Sequence, residues 1–167
     1  MDNSEFERER RKQRRFEQIG TNNPGCPDCN ESDWRCFEAT SMPRCANCAI
    51  KASVDPRDDA VKRRRLKKLE TNNPRCAMCG ENDWRCIELH HVGKRRNDLT
   101  TVLLCANDHL RMTDEQKDHP SMAHDADPVL VALNNFLRGL ADMLRITGGC
   151  QNHTFARVRS AVCKSMS

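Results

Sequence analysis

Long polar stretches broken by short apolar groups set the pattern of this chain. The opening twenty residues, MDNSEFERERRKQRRFEQIG, are charged throughout, and Arg11-Lys12-Gln13-Arg14-Arg15 runs into Phe16. Fifty residues on, Val61-Lys62-Arg63-Arg64-Arg65-Leu66 has the same character. Each segment predicts a basic helix. Each is followed by TNNP, at 21–24 and 71–74, which stops it: the residue before Pro is pushed out of the α region, and Asn tolerates turns. Next come DWRCFE (33–38) and DWRCIE (83–88), mixtures of aromatic and apolar residues that predict short strands. Trp34 and Trp84 are the expected core anchors. Cys36 and Cys86, two residues on, share their strand face as buried thiols.

The second half reads differently. DHLRMTDEQKDH (108–119) predicts a helix, followed by a polar loop over 120–125. Asp127-Pro128 opens a further helix, with Asp as N-cap and Pro at the first helical position. Leu130, Leu133, Leu137, Leu140 and Leu144 give it an apolar stripe, expected to be core or a seam to a partner. Gly148-Gly149 is the expected stop, and 150–167 would form one more short basic helix. Cys150 and Cys163 lack a Cys-x-x-Cys partner and read as structural.

Composition sharpens this picture. Of 167 residues 31% are charged and only 4% aromatic, so the apolar core is thin and needs staples. Eleven cysteines can supply them. No apolar leader opens the sequence and no run is long enough to span a bilayer, so the expected setting is a reducing cytoplasm without membrane contact. There, Cys-x-x-Cys pairs mean metal or redox chemistry rather than disulfides. The net charge of +4 is mild, but the cations cluster at 8–15, 62–68 and 94–96. Any one run is ordinarily a solvated helix face; three beside cysteine modules point to nucleic acid.

The repeat is closest over TNNPGCPDCNESDWRCFEAT (21–40) and TNNPRCAMCGENDWRCIELH (71–90). In the first copy, Cys26-x-x-Cys29 and Cys45-x-x-Cys48 stand fifteen residues apart. Two such turns close a tetrahedron of thiolates on zinc at about 2.3 Å per bond, and four protein ligands leave no open position, so the site is structural. The second copy opens with Cys76-x-x-Cys79, but its far knuckle reads Cys105-Ala-Asn-Asp108-His109 where the first reads Cys45-Ala-Asn-Cys48-Ala49. Its intervening segment is ten residues longer and carries His90 and His91 where the first copy has Thr40 and Ser41. The first copy shows that the module needs none of these histidines to fold. Two ligand sets remain open for the second zinc. In one, Asp108 joins Cys76, Cys79 and Cys105, as the alignment with Cys48 favours. In the other, His109 does so, as the better zinc affinity of imidazole favours.

Glu88-Leu89-His90-His91-Val92, Asn97-Asp98 and Leu103-Leu104-Cys105-x-x-x-His109 together resemble the HNH nuclease family, over Cys76 to about Thr113. The resemblance implies a ββα-metal unit that cuts DNA phosphodiester bonds with one divalent ion. It implies His91 as general base, His90 and His109 as holders of the catalytic ion (Mg²⁺, or Mn²⁺ or Ni²⁺), and Asn97 or Thr100 in the middle position. Arg63, Arg64, Arg65, Lys94, Arg95 and Arg96 are the candidate backbone-binding cations.

The reading is a zinc-stapled α+β protein with an internal repeat. A basic helix and a structural four-cysteine zinc module occupy 1–56, a second basic helix and an HNH-like module 57–119, and a helical segment 120–167. Two structural zinc ions, a catalytic divalent ion, DNA as partner and weak sequence preference belong to that reading. So does a homodimer or larger assembly through the 127–147 helix. The competing readings are a non-catalytic zinc protein that binds nucleic acid, and an interaction scaffold built on the leucine stripe.

Overall fold

The structure, a computed structural model, describes residues 3–37, 44–94, 100–120 and 126–165, with side chains described as far as 148. Among the described residues, five α-helices and a two-stranded sheet make a small α+β protein. Helices α1 (Asn3–Ile19) and α3 (Asp59–Leu69) are the two basic segments. They end one residue before TNNP. Gly20 (φ 74°) and Glu70 (φ 54°) take left-handed conformations and return their N–H groups to the last helical turn. The Thr hydroxyls of TNNP then accept from Asn23 and Asn73 N–H at 3.2 Å, so the stop is a left-handed cap followed by a Thr-bonded turn.

The expected strands at DWRC are 3-10 turns instead. Asp33 and Asp83 cap Trp34–Cys36 and Trp84–Cys86, each accepting from the backbone N–H and guanidinium of the Arg two residues on. This local Asp–Arg bonding competes successfully with an extended conformation. Trp34 and Trp84 are consequently half-buried rather than core anchors, whereas Cys36 and Cys86 are fully buried, as expected.

Extended pairing begins at the next residue. In the first copy the described residues show one bridge, Phe37 to Cys45, with 38–43 outside them. In the second, Ile87 pairs with Cys105 at the matching place, and the pairing continues through β1 (Ile87–His91) and β2 (Thr101–Cys105) until His91 faces Thr101. The longer segment of the second copy thus extends a hairpin whose far end carries His90 and His91. After each knuckle a helix follows: α2 (Ala46–Ser53) and α4 (Ala106–Lys117).

The two knuckle helices pack on each other by reciprocal contacts. Asn47 N–H donates to Asn107 Oδ1 at 3.0 Å, and Asn107 N–H donates to Asn47 Oδ1 at 3.1 Å, both buried. Lys51 reaches Glu81 of the second copy, while Arg111 reaches Glu31 of the first. Ala46, Cys86 and Ala106 close a small apolar centre between them. Helix α1 completes the join. Arg8 and Arg11 pair with Asp114, Glu115 and Asp118 of α4, so part of the first basic run is a structural strap rather than a free surface.

Helix α5 (Pro128–Ser165) starts on Asp127 as expected, whose Oδ1 accepts from Val129 and Leu130 N–H. It runs through Gly148-Gly149 instead of stopping: Gly148 is not in the left-handed region that a glycine stop uses. No separate helix begins at 150. The leucine stripe is not core. The face turned to the body carries Asn135, Gly139, Asp142 and Ile146, and the five leucines are 39–67% exposed. Ile146 joins Leu69, Ile87, Leu104 and Met112 in the larger apolar core. Among the described residues, no helix is long and apolar enough to cross a membrane.

Candidate functional site

Three clusters of chemistry sit on this frame. The first is Cys26, Cys29, Cys45 and Cys48, whose sulfurs all lie within 4.8 Å of one another. None forms a disulfide. The Cys29–Cys45 Sγ separation is 3.5 Å, near the ~3.8 Å edge of a tetrahedron with ~2.3 Å Zn–S bonds. Burial raises Cys29 to about 11, whereas Cys26 sits at about 7: burial pulls it up, and N–H groups of Cys45, Asp28 and Cys29 pull it further down. Asn30 (φ 61°) and Gly80 (φ 77°) provide the left-handed bend that each knuckle needs. The donor set fits a closed structural zinc site.

The second cluster is Cys76, Cys79, Cys105 and Asp108. Asp108 Oδ2 stands 3.2 Å from Cys76 Sγ and 3.4 Å from Cys105 Sγ, while Oδ1 accepts from Arg111 at 2.7 Å. Burial raises the Asp108 pKa, against the pull of Cys79 and of the Arg111 guanidinium. Of the two ligand sets open in the sequence, this geometry groups Asp108 with the thiols. His109, one residue on, turns to the other side of the helix start. Both clusters could therefore hold zinc, and Arg111 ties the second to the first module through Glu31 and Asp33.

The third cluster is the histidines. His90 and His109 meet edge to face with ring centroids 5.0 Å apart, and His109 Nδ1 is 3.6 Å from Glu88 Oε2. With His91 they line a cleft of about 560 Å³ whose other wall includes Arg65 and Lys68 of α3 and Gln116 of α4. His90 is 3% exposed. Burial, reinforced by His109 and His91, lowers its pKa to about 4, so it stays neutral and keeps a ring lone pair through the physiological range. Gln116 holds the end of β1: its amide nitrogen donates to His91 O at 3.0 Å and Val92 O at 2.9 Å, and lies 3.2 Å from His90 Nε2. That nitrogen has only two hydrogens. With both on the carbonyls, the lone pair of His90 is left available to another ligand.

Sequence reasoning missed Gln116, took Lys68 only as part of the 62–68 basic run, and assigned Glu88 no role although it belongs to the quoted motif. Gln116 carried no local signal, because its partners are 24 and 25 residues away. Of the candidate cations, Arg65 reaches the cleft, donating to Ile87 O at 3.0 Å and facing Glu88 at 3.6 Å. Arg63 borders a separate hollow beside Glu70 and Thr71, and Arg64 is exposed and bonds Ala60 O. Lys94 is half-buried at φ 66°; burial and the charge of Arg138 lower its pKa. Asn97, Arg95 and Arg96 lie outside the described residues, as do Thr40 and Ser41. Thr100 O accepts from Val92 N–H at 3.1 Å, closing the hairpin end.

Comparison with protein-family models, curated proteins and solved structures finds no match to this chain. Its functional reading therefore rests on the residues and the geometry above.

Proposed function

We propose that this protein is an HNH-type, metal-dependent endonuclease that hydrolyses DNA phosphodiester bonds with weak sequence preference, and that β1, β2 and α4 form its ββα-metal unit. One observation carries the reading. The three histidines that the first module does without converge on a single cleft walled by cations. A structural module has no use for that convergence, whereas hydrolysis of a phosphodiester needs a base, a ligand pair and a grip on the phosphate.

His90 and His109 are the proposed ligand pair. Two imidazoles beside open cleft space leave coordination positions for phosphate oxygens and water, and imidazole suits Ni²⁺ and related transition ions better than Mg²⁺. Glu88 Oε2, 3.6 Å from His109 Nδ1, could add an oxygen ligand beside the pair. The ion would supply charge stabilisation on the phosphate and the departing oxygen. His91 would take the proton of the attacking water as its oxygen bonds to phosphorus, and the departing oxygen would regain a proton from solvent. Arg65 and Lys68 would hold the phosphate backbone; such contacts position the strand without reading bases.

The test is cleavage of supercoiled plasmid by the zinc-loaded protein with Mg²⁺, Mn²⁺ or Ni²⁺. Wild type should convert the plasmid, and His91→Ala should be slower by ~10²–10⁴, the usual weight of a general base. Zinc content and DNA affinity should stay unchanged. Equal rates for the two proteins would remove the proposed mechanism. No cleavage by wild type with any of the ions, alongside intact DNA binding, would favour a non-catalytic nucleic-acid-binding protein.

A further inference from the structure

The leucines of α5 are spaced 130, 133, 137, 140 and 144, alternating steps of three and four. That is the repeat of a coiled-coil seam, narrower than the stripe a helix needs to cover a globular core. Among the described residues the fold leaves this edge exposed. The residues of α5 turned inward are Asn135, Gly139, Asp142 and Ile146, whereas Leu130, Leu133, Leu137 and Leu144 are 51–67% exposed and Val129 beside them is 74% exposed. A helix with two seams, one of them spent on its own body, has a free one for another helix.

We propose that this edge is a self-association seam, on which a second copy of this chain packs its own five leucines. Two observations select a second copy over a different partner. First, the positions flanking the leucines are Asn134, Phe136, Ala141 and Met143, none of them charged. Coiled-coil partners are chosen chiefly by charges at those flanks; a neutral flank asks for no complement and sets up no repulsion between identical helices. The seam is complementary to itself, as a two-fold interface requires. Second, the area suffices. The exposed leucine and valine surface amounts to roughly 600 Å² per copy, so these residues alone can bury at most about 1,200 Å² across a pair, the lower bound for a stable specific interface. A patch of this size is at the upper end of what a monomer leaves uncovered. The opposite face of the same helix meets Val92 at Gly139, so each copy keeps its own histidine cleft in the pair.

The test is the mass of the full-length, zinc-loaded protein in solution, by sedimentation equilibrium over roughly 1–100 µM, a range suited to micromolar dissociation constants. Wild type should have the mass of two chains and an unfolding temperature that rises with concentration. The Leu133→Glu/Leu137→Glu variant should have the mass of one chain and a concentration-independent unfolding temperature. Its zinc content and helicity should be unchanged, because both side chains already face solvent in a single chain. If the glutamates disturb folding, Leu133→Ala/Leu137→Ala keeps the helix and should weaken the pair by at least ~10-fold. A single-chain mass for wild type at the highest concentration overturns the proposal. So does a pair that survives both double substitutions. Neither result depends on whether the cleft cuts DNA.

Discussion

The two cysteine modules are built alike up to one residue pair and then part. Each starts with a basic helix closed by a left-handed residue, turns through TNNP, bends a knuckle at Asn30 or Gly80, and makes one 3-10 turn on an Asp–Arg pair. Each then makes an antiparallel pair, Phe37 with Cys45 or Ile87 with Cys105. Beyond that pair the second module extends its hairpin and mounts His90 and His91 on it, with His109 behind the knuckle. The comparison separates what holds such a module together from what could make it act. Thiolates, caps and the Asp–Arg turn belong to the frame. The histidines are what the second module adds, and Gln116 of α4 meets the end of its hairpin; Glu88, matched by Glu38, is common to both copies. The frame is also mutual: each module supplies half of the Asn47–Asn107 exchange and one end of each cross-module ion pair.

The largest effect should come from breaking the frame itself. Structural zinc binding is worth ~10–16 kcal/mol of apparent free energy at neutral pH in small modules, nearly all of it folding energy. Cys26→Ser should therefore unfold the first module and loosen the second through the shared interface, seen as lost helicity and lost zinc by elemental analysis. Folded wild-type protein free of zinc would contradict the architecture.

The second experiment sharpens the one ligand that differs between the modules. Asp108→Cys makes the second set equal to the first and should tighten zinc while retaining cleavage. His109→Ala should keep zinc and lose cleavage by ~10²-fold or more. Release of the second zinc by His109→Ala, with no effect of Asp108→Ala, would reverse the assignment of the two residues.

Gly139 tests how the extension is held. A Cβ there would overlap the Val92 carbonyl, which also accepts from Gln116. Intrinsic propensity says that Gly→Ala inside a helix stabilises by up to ~1 kcal/mol. The clash predicts the reverse: Gly139→Ala should destabilise by ~1–3 kcal/mol, with cleavage reduced because the end of β1 must shift. A higher denaturation midpoint for the variant would show that the contact is not close.

The last effect, similar in stability to that at Gly139 but remote from the cleft, should come from the shared interface. Asn47→Ala leaves the Asn107 N–H buried without its acceptor, and Asn107→Ala does the same to Asn47. Each should cost ~1–3 kcal/mol, and the pair less than the sum, since both remove one reciprocal unit. Strict additivity in chemical denaturation would mean that the two modules are not coupled there.

Much of this protein was legible in the sequence because it is local. Cys-x-x-Cys spacing, the Asp127 cap, the helix stops at TNNP and the alignment of Asp108 with Cys48 depend on residues a few positions apart, and the physics of caps and chelation acts over that range. The 3-10 turn at DWRC was local too, but it depends on a competition between Asp–Arg bonding and extension that composition does not resolve. What tertiary structure alone decided is direction. The period of Leu130 to Leu144 reveals an amphipathic helix, yet the body took the face with Asn135, Gly139, Asp142 and Ile146 and left the leucines outside. The reason is steric: Gly139 lets the helix approach the turn after His91, and the leucine edge has no such gap. Likewise Arg8 and Arg11 read as free cations until α4 brought three carboxylates to them, and Gln116 had no role until β1 ended against it. Charge and polarity are properties of a residue, but their use depends on neighbours distant in the chain, and only the packed structure supplies those.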